Sequence, residues 1–390
     1  VVLSNNDGCI VARSSEAKPF VKMAMPYFQA KPILARHGIQ AFSSNYPLYA
    51  DMSERMMGTL AAYFQHLEVY SIDEAFAFMH SEATQAEQVA RKAQKAVSQN
   101  TGLPTCIGIA PTKTLAKLAN HVAKRFHSHT AGVVMLAEPE QWLPILKNTD
   151  IEDIWGIGRR IGQRLRLHRV NTAWEFTQLD PQWVRQHFSI TLRHTQSELL
   201  GKPCLTLDNT VEPRRTIMSS RTFSSRQTTF SAVQEAVVNY TETAAERLRA
   251  QGSVCRMIGV SLTIATSQTP QQRSAYAQLL YSTDDTRDLA QGALQALKEC
   301  WREGQRYIKA AITLAELHER CGQNRDLFAA EQSAASQQLM QTLDTINQRW
   351  GRGTLRTARV PQHAPWAMRQ RFKSPSYTTQ WEQLWRVHCR

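Results

Sequence analysis

Ser71-Ile72-Asp73-Glu74-Ala75 sets two adjacent carboxylates between apolar stretches, with Leu67, Val69 and Ile72 before them and Ala75, Phe76 and Phe78 after. A strand buried on both faces rarely carries charge, because an unpaired buried carboxylate is costly, so a cation is expected against this pair. Neighbouring strand residues point to opposite faces. Both carboxylates therefore reach one site only if the chain turns or bulges there, as at a hairpin tip. The cation whose chemistry fits is Mg²⁺, held by carboxylates together with substrate phosphates. A solvated turn is the competing reading of any Asp-Glu pair, and the neighbouring motifs decide between the two.

Apolar periodicity supplies the elements that would position the pair. Val1-Val2-Leu3 reads as a strand, Met52 to Gln65 as a helix, Leu67 to Ile72 and Ala75 to Met79 as a hairpin, and Ala83 to Gln99 as a helix. Thr105 to Ile109 follows as a strand, Thr112 to Arg125 as a helix, and Gly132 to Met135 as a strand. Strands and helices in the order β-α-β-β-α-β suggest a ferredoxin-like sheet. Asn148 to about Pro213 is helical with short loops. From Arg214 to Leu314 a β-α-β-β-α-β order returns, with strands near Ile217–Phe223, Val254–Ile264, Tyr276–Tyr281 and Tyr307–Leu314 and helices near Ala232–Ala250 and Asp288–Trp301. Along the second of those strands Ile258, Val260 and Leu262 alternate with Met257, Gly259 and Ser261, which suits a sheet covered by helices on one face and free for a ligand on the other.

At 390 residues and 42% hydrophobic content the chain can build several cores. Its net charge of +13 and pI near 9.6 point to a polyanionic partner, either nucleic acid or an acidic membrane surface. No apolar run approaches the roughly 18 residues that cross a bilayer and no signal peptide opens the chain, which favours nucleic acid and no membrane. The cysteines, Cys9, Cys106, Cys204, Cys255, Cys300, Cys321 and Cys389, are odd in number and scattered, as in a reducing cytoplasm. His127 and His129 lack Cys or carboxylate neighbours at zinc spacing, so a solvated loop is favoured over a metal site. Between Ile346 and Arg390 nine residues are Lys or Arg and one is acidic, interleaved with Trp350, Trp366, Trp381 and Trp385. This region is either a solvated basic tail or a small docking module for DNA or a protein.

Ile154-Trp155-Gly156-Ile157-Gly158-Arg159-Arg160 has the pattern of a helix-hairpin-helix. Its glycines would let backbone amides meet a phosphate at the next helix's N-terminus, and Arg159 and Arg160 would add charge. An ordinary turn between helices is the alternative. The ordered series Asn5-Asn6-Asp7-Gly8-Cys9, Phe42-Ser43-Ser44-Asn45-Tyr46 with Tyr49-Ala50-Asp51, Ser71-Ile72-Asp73-Glu74, Gly108-Ile109-Ala110-Pro111-Thr112-Lys113 and Trp155-Gly156-Ile157-Gly158 resembles the Y-family, or translesion, DNA polymerases. Within them it is most similar to the group of UmuC, MucB, ImpB and RumB. The likeness runs from Val1 to about Val387 and includes Gly351-Arg352-Gly353-Thr354-Leu355 and Ser374-Pro375-Ser376-Tyr377.

The resemblance implies an α+β multidomain fold: a ferredoxin-like palm with a fingers insertion over 1–147 (fingers about 10–50), a helical thumb with the helix-hairpin-helix over 148–213, a βαββαβ little finger over 214–320, and a small basic, Trp-rich C-terminal region over 321–390. It implies that Asp73 and Glu74 are the second and third members of an acidic triad binding two Mg²⁺ ions. The first aspartate and the aromatic that screens out ribonucleotides belong to an opening palm strand outside this sequence, so the chain is expected to be truncated just after them. Asp7 does not substitute, since it sits in a Gly-containing turn after a different strand. Lys18, Tyr49 and Lys124 match contacts to the polyphosphate of the deoxynucleoside triphosphate. Lys18 stands where many members carry an arginine, and it brings a point charge without the bidentate fork. The Gln-Leu-x-Leu-Phe motif that docks on a sliding clamp corresponds to Gln323-Asn324-Arg325-Asp326-Leu327-Phe328, which keeps Leu327 and Phe328 but displaces the glutamine.

The function implied is error-prone, template-directed DNA synthesis past damaged bases in the SOS response, by a DNA-directed DNA polymerase in the bacterial cytoplasm at the nucleoid. Its partners by resemblance are primer-template DNA, a processed UmuD-like dimer, the RecA filament and, through the displaced motif, the sliding clamp. No second acidic cluster of the kind a 3′→5′ exonuclease uses is evident. The rival reading is a catalytically inactive DNA-binding fragment or pseudoenzyme of the same family. A nuclease is a more distant one, because it would not need triphosphate-binding lysines.

Overall fold

The computed structural model describes residues 1–79, 83–207, 213–266, 269–320, 332–361, 364 and 366–386. The strands are β1 (Val2–Leu3), β2 (Ile10–Ala12), β3 (Phe42–Ser43), β4 (His66–Val69), β5 (Ala75–Phe78), β6 (Ile107–Ile109), β7 (Val133–Met135), β8 (Ile217–Gln227), β9 (Ser253–Ile264), β10 (Gln271–Thr283) and β11 (Tyr307–Glu319). Two compact units result, one of Val1–Ser44 with Glu212–Ser374 and one of Asn45–Val211 with Pro375–Arg390.

In the second unit the helices Tyr46–Ala61 and Ala83–Thr101, the antiparallel hairpin β4–β5 and the parallel pair β6–β7 carry the region expected as palm. Helix Lys113–Arg125 buries Leu115, Leu118, Ala119 and Ala123. It can lie close on β6 because that strand has Gly108, where a Cβ would stand 2.2 Å from the Ala116 carbonyl oxygen. The same helix shares one core with the short helices that follow, through Trp142, Leu146, Ile154, Leu165, Phe176 and Leu199. Apolar burial thus fixes the lysine-bearing helix to the helical segment after it.

In the first unit β10, β9, β11 and β8 form, in that order, a four-stranded antiparallel sheet. Helices Phe230–Ala250 and Thr286–Cys300 cover one face and bury Val237, Leu248, Ile258, Val260, Leu289 and Ile312 between them and the sheet. The period-two pattern of β9 places Ile258, Val260, Leu262 and Ile264 in that core. The N-terminal residues of this unit build a separate small core of Leu3, Ile10, Val21, Ala30 and Leu34 around β2–β1–β3 and helix Tyr27–Arg36.

The basic C-terminal region is not a solvated tail up to Ser374. Helix Ala334–Trp350 buries Met340, and the chain beyond it buries Val360 and Trp366, the latter within the four-stranded-sheet core. Trp350, Trp381 and Trp385 are exposed.

Candidate active site

Asp73 and Glu74 occupy the turn that joins β4 to β5, the hairpin tip expected, but the flanking strands are not buried on both faces: neither β4 nor β5 holds a fully buried residue, and Val69, Ile72 and Phe78 are exposed. The Tyr70 and Ser71 N–H groups both donate to the Glu74 carbonyl oxygen at 3.0 Å, closing the loop. The Ser71 hydroxyl donates to Asp73 Oδ1 at 2.6 Å and holds that carboxylate beside the backbone while leaving it exposed. Glu74 is half-buried and points toward helix Lys113–Arg125, where Lys117 Nζ lies 2.8 Å and Lys124 Nζ 3.9 Å from Glu74 Oε1. On the strand before the turn, Glu68 Oε2 pairs with Lys113 Nζ at 2.6 Å. The three lysines stand four and seven residues apart and so line one helix face.

Aromatic side chains fix this arrangement. The rings of Tyr70, Phe76 and Trp155 meet at 5.5 to 5.6 Å, and Trp155 Nε1 donates to the Tyr70 hydroxyl at 3.2 Å. Lys113 lies over Phe76 and Lys117 over Tyr70, at 5.1 and 5.5 Å from the ring centroids. The N-terminus of the lysine helix is pinned from another direction. Thr112 caps it by accepting from the Leu115 N–H, and the fully buried Glu198 carboxylate accepts from the Thr114 N–H at 2.9 Å and the Thr114 hydroxyl at 2.7 Å. Its other oxygen accepts from the Cys204 and Leu205 N–H groups.

A cavity of about 260 Å³ opens between Glu74, Lys117, Asn120, His121, Lys124 and Trp155. Asn120 Oδ1 is buried there without a hydrogen-bond partner. Glu74 and the orphaned Asn120 amide oxygen give this cavity hard-oxygen donors of the kind Mg²⁺ takes together with water and phosphate oxygens, while Asp73, next to Glu74 at the hairpin tip, is exposed and is not among the residues lining it. Among the described residues no group of three His, Cys, Asp or Glu side chains gathers as a self-sufficient metal site, His127 and His129 included. Lys124 also acts electrostatically on its surroundings: burial pushes the Cys106 thiol up and the Lys124 charge draws it back down.

Tyr49 is half-buried on helix Tyr46–Ala61, its ring 6.1 Å from that of Tyr46. Lys18 belongs to the other unit; it is exposed and forms no ion pair among the described residues. Gly156 has φ +88°, a conformation that glycine adopts without strain, and Gly158 is the N-cap of helix Arg159–Leu167 with open space where a Cβ would be. Ile154 and Ile157 are buried while Arg159 and Arg160 are exposed. Leu327 and Phe328 lie outside the described residues. Asp7, set aside on sequence grounds, has both carboxylate oxygens engaged, by the Ser43 hydroxyl and the Arg371 N–H. Lys117 and Glu198 were missed: the i, i+4, i+11 spacing of Lys113, Lys117 and Lys124 carried a signal for the first, whereas nothing local marks Glu198.

Comparison with solved structures places this fold among the Y-family DNA polymerases. A Y-family DNA polymerase chimera superposes with a TM-score of 0.62 over 80% of this chain and 88% of its own, at 18% identity. Family models of the impB/mucB/samB family match residues 1–121 and, for its C-terminal domain, 214–327; a domain of unknown function matches 337–387. Protein UmuC of Salmonella typhimurium is 39% identical over 99% of this chain and 93% of its own length. Protein SamB of Salmonella typhimurium and protein MucB of Escherichia coli are each 37% identical over 98% of this chain and 92% of theirs. The chain belongs to the impB/mucB/samB family of error-prone, translesion DNA polymerases.

Proposed function

We propose that this chain is the catalytic subunit of an SOS-induced polymerase in which Asp73 and Glu74 hold two Mg²⁺ ions for nucleotidyl transfer. The observation that carries this reading is the Glu74 carboxylate at a hairpin tip, beside Asp73 and faced by Lys117 and Lys124. Bound Mg²⁺ would lower the pKa of the primer 3′-hydroxyl and neutralise the triphosphate. Lys124 and Lys18 supply fixed positive charge to the polyphosphate, whose negative charge grows toward the leaving group, and Tyr49 offers it a hydroxyl donor. Trp155 connects the hairpin to the Gly156–Arg160 loop, where the amides at the N-terminus of helix Arg159–Leu167 and the exposed Arg159 and Arg160 would take a duplex phosphate without reading sequence. The uncovered face of the four-stranded sheet, with Ser220, Ser261, Ser274, Tyr276 and Lys309, would meet the DNA backbone. By family relation, a processed UmuD-like dimer, the RecA filament and, through Leu327 and Phe328, a sliding clamp are its proposed protein partners.

Primer extension by the full-length protein tests this. Asp73→Ala and Glu74→Ala should abolish extension while a gel-shift titration finds primer-template binding nearly intact, because these groups serve metal rather than DNA. Extension within tenfold of the parent by both variants would remove the pair from the active site. DNA binding without extension by the parent itself would favour an inactive DNA-binding protein.

A further inference from the structure

We propose that residues 351–361, 364 and 366–374, in the region matched by a domain of unknown function, form an intramolecular brace that ties the four-stranded-sheet domain to the N-terminal subdomain around β1. One end is fastened along a single face of helix Phe230–Ala250. Just before the segment, on helix Ala334–Trp350, Asp344 makes a bidentate pair with Arg249, 6% exposed, at 2.6 and 2.7 Å. Glu246 takes the Arg352 guanidinium, and Glu242 accepts from both the N–H and the hydroxyl of Thr357 at 2.8 and 2.6 Å. Trp366, 4% exposed, sets its ring edge-on to Tyr240 at 5.8 Å inside the domain core. Residues 242, 246 and 249 follow helical spacing, so these contacts line one helix face over about two turns.

The other end runs into the N-terminal subdomain and meets β3 through one isolated bridge. Lys373 bridges Ser43 in parallel, the Ser43 N–H donates to the Phe372 carbonyl oxygen, and the Phe372 N–H donates to the Ser43 hydroxyl, both at 3.0 Å. The Arg369 N–H donates to Asn6 Oδ1 at 3.0 Å and the Arg371 N–H to Asp7 Oδ2 at 2.9 Å. Phe372 joins the small core against Tyr27 at 5.4 Å. Asn6 and Asp7 have φ of 61° and 52°, a left-handed turn that Asn and Asp tolerate better than other side-chain-bearing residues. That turn aims both side chains at the brace, and Asn6 Nδ2 also donates to the Thr222 carbonyl oxygen of β8. Two separate cores are thus pinned by aromatic side chains at positions 366 and 372 of one short segment. The Asn5–Asp7 turn gains a role as the brace's receptor.

Spin labels on the exposed positions 31 and 298 of the full chain, read by pulsed dipolar spectroscopy, report the distance between the two parts. The brace predicts a single narrow distribution in the parent and a broad one in Phe372→Ala and in Asp7→Gly. The glycine keeps the left-handed turn and removes no core side chain, so it carries the test if Phe372→Ala disturbs folding. Hydrogen exchange at Arg369, Arg371 and Phe372 should rise by about tenfold in both variants while helix Phe230–Ala250 stays protected. A distribution already broad in the parent, or one equally narrow in Asp7→Gly with accelerated exchange, would overturn the proposal.

Discussion

Replacing Glu198 by Gln changes one atom type in a fully buried side chain whose every hydrogen-bond partner is a donor. Glu198 accepts four hydrogen bonds, two on each oxygen: from the Thr114 N–H and hydroxyl, and from the Cys204 and Leu205 N–H groups. Gln keeps one acceptor, so either amide orientation turns an NH₂ toward at least one buried N–H. An unsatisfied buried donor costs about 1–3 kcal/mol, and loss of the charge-assisted bonds brings the total to about 3 kcal/mol. For a unit of this size that lowers Tm by about 6–12 °C. Because Thr114 sits in the first turn of the helix bearing Lys117 and Lys124, the same change should lower kcat/KM for nucleotide on the order of tenfold while sparing DNA affinity. Calorimetry and single-nucleotide kinetics read both effects. A Tm within about 1 °C of the parent would refute the view that Glu198 anchors the lysine helix.

Lys18→Ala should raise the nucleotide KM and lower kcat through lost charge stabilisation of the triphosphate; an unchanged dependence on nucleotide concentration would contradict its assigned role. Arg159→Ala with Arg160→Ala should make the log–log salt slope of duplex binding shallower by about one unit per lost phosphate contact, equally for all sequences. A slope that does not move would return the Gly156–Arg160 loop to an ordinary turn. Burial pushes the Cys255 thiol up to about 12 and that of Cys300 to about 11, so both stay protonated at pH 8. A thiolate-selective alkylating reagent should label the exposed Cys204 and leave these two unmodified in the folded chain, and their labelling at comparable rates would show that the sheet core opens.

Periodicity made most of the elements legible. The four strands of the sheet and its two helices stand where expected, because each packs one regular face on a single core, although β8, β10 and β11 extend four to five residues beyond their expected bounds. The hairpin tip at Asp73-Glu74 was legible from a charged pair set between two apolar runs, whereas the two-sided burial expected of those strands did not follow, because the two-stranded hairpin leaves Val69, Ile72 and Phe78 exposed. Lys117 was within reach of the same reasoning through its spacing from Lys113 and Lys124. Glu198 was not, as its partner on the lysine helix, Thr114, is 84 residues away and no local pattern foretells that pairing. The packing of the basic C-terminal region was out of reach for the same reason. Composition registers the charges of Arg352 and the bulk of Trp366, but not that Glu246 and Tyr240 wait for them on a helix about a hundred residues earlier.

Whether Asp73 and Glu74 are metal ligands is tested most directly by binding of Mn²⁺ in place of Mg²⁺, without relying on turnover. Free Mn²⁺ can be titrated by its paramagnetic resonance signal in the full-length protein with primer-template and a non-hydrolysable nucleotide. Asp73→Asn and Glu74→Gln should each lose the tightly bound Mn²⁺ that the parent retains above nucleotide alone, with DNA affinity unchanged. Parent-level Mn²⁺ binding in both variants would contradict a metal-binding role for the pair.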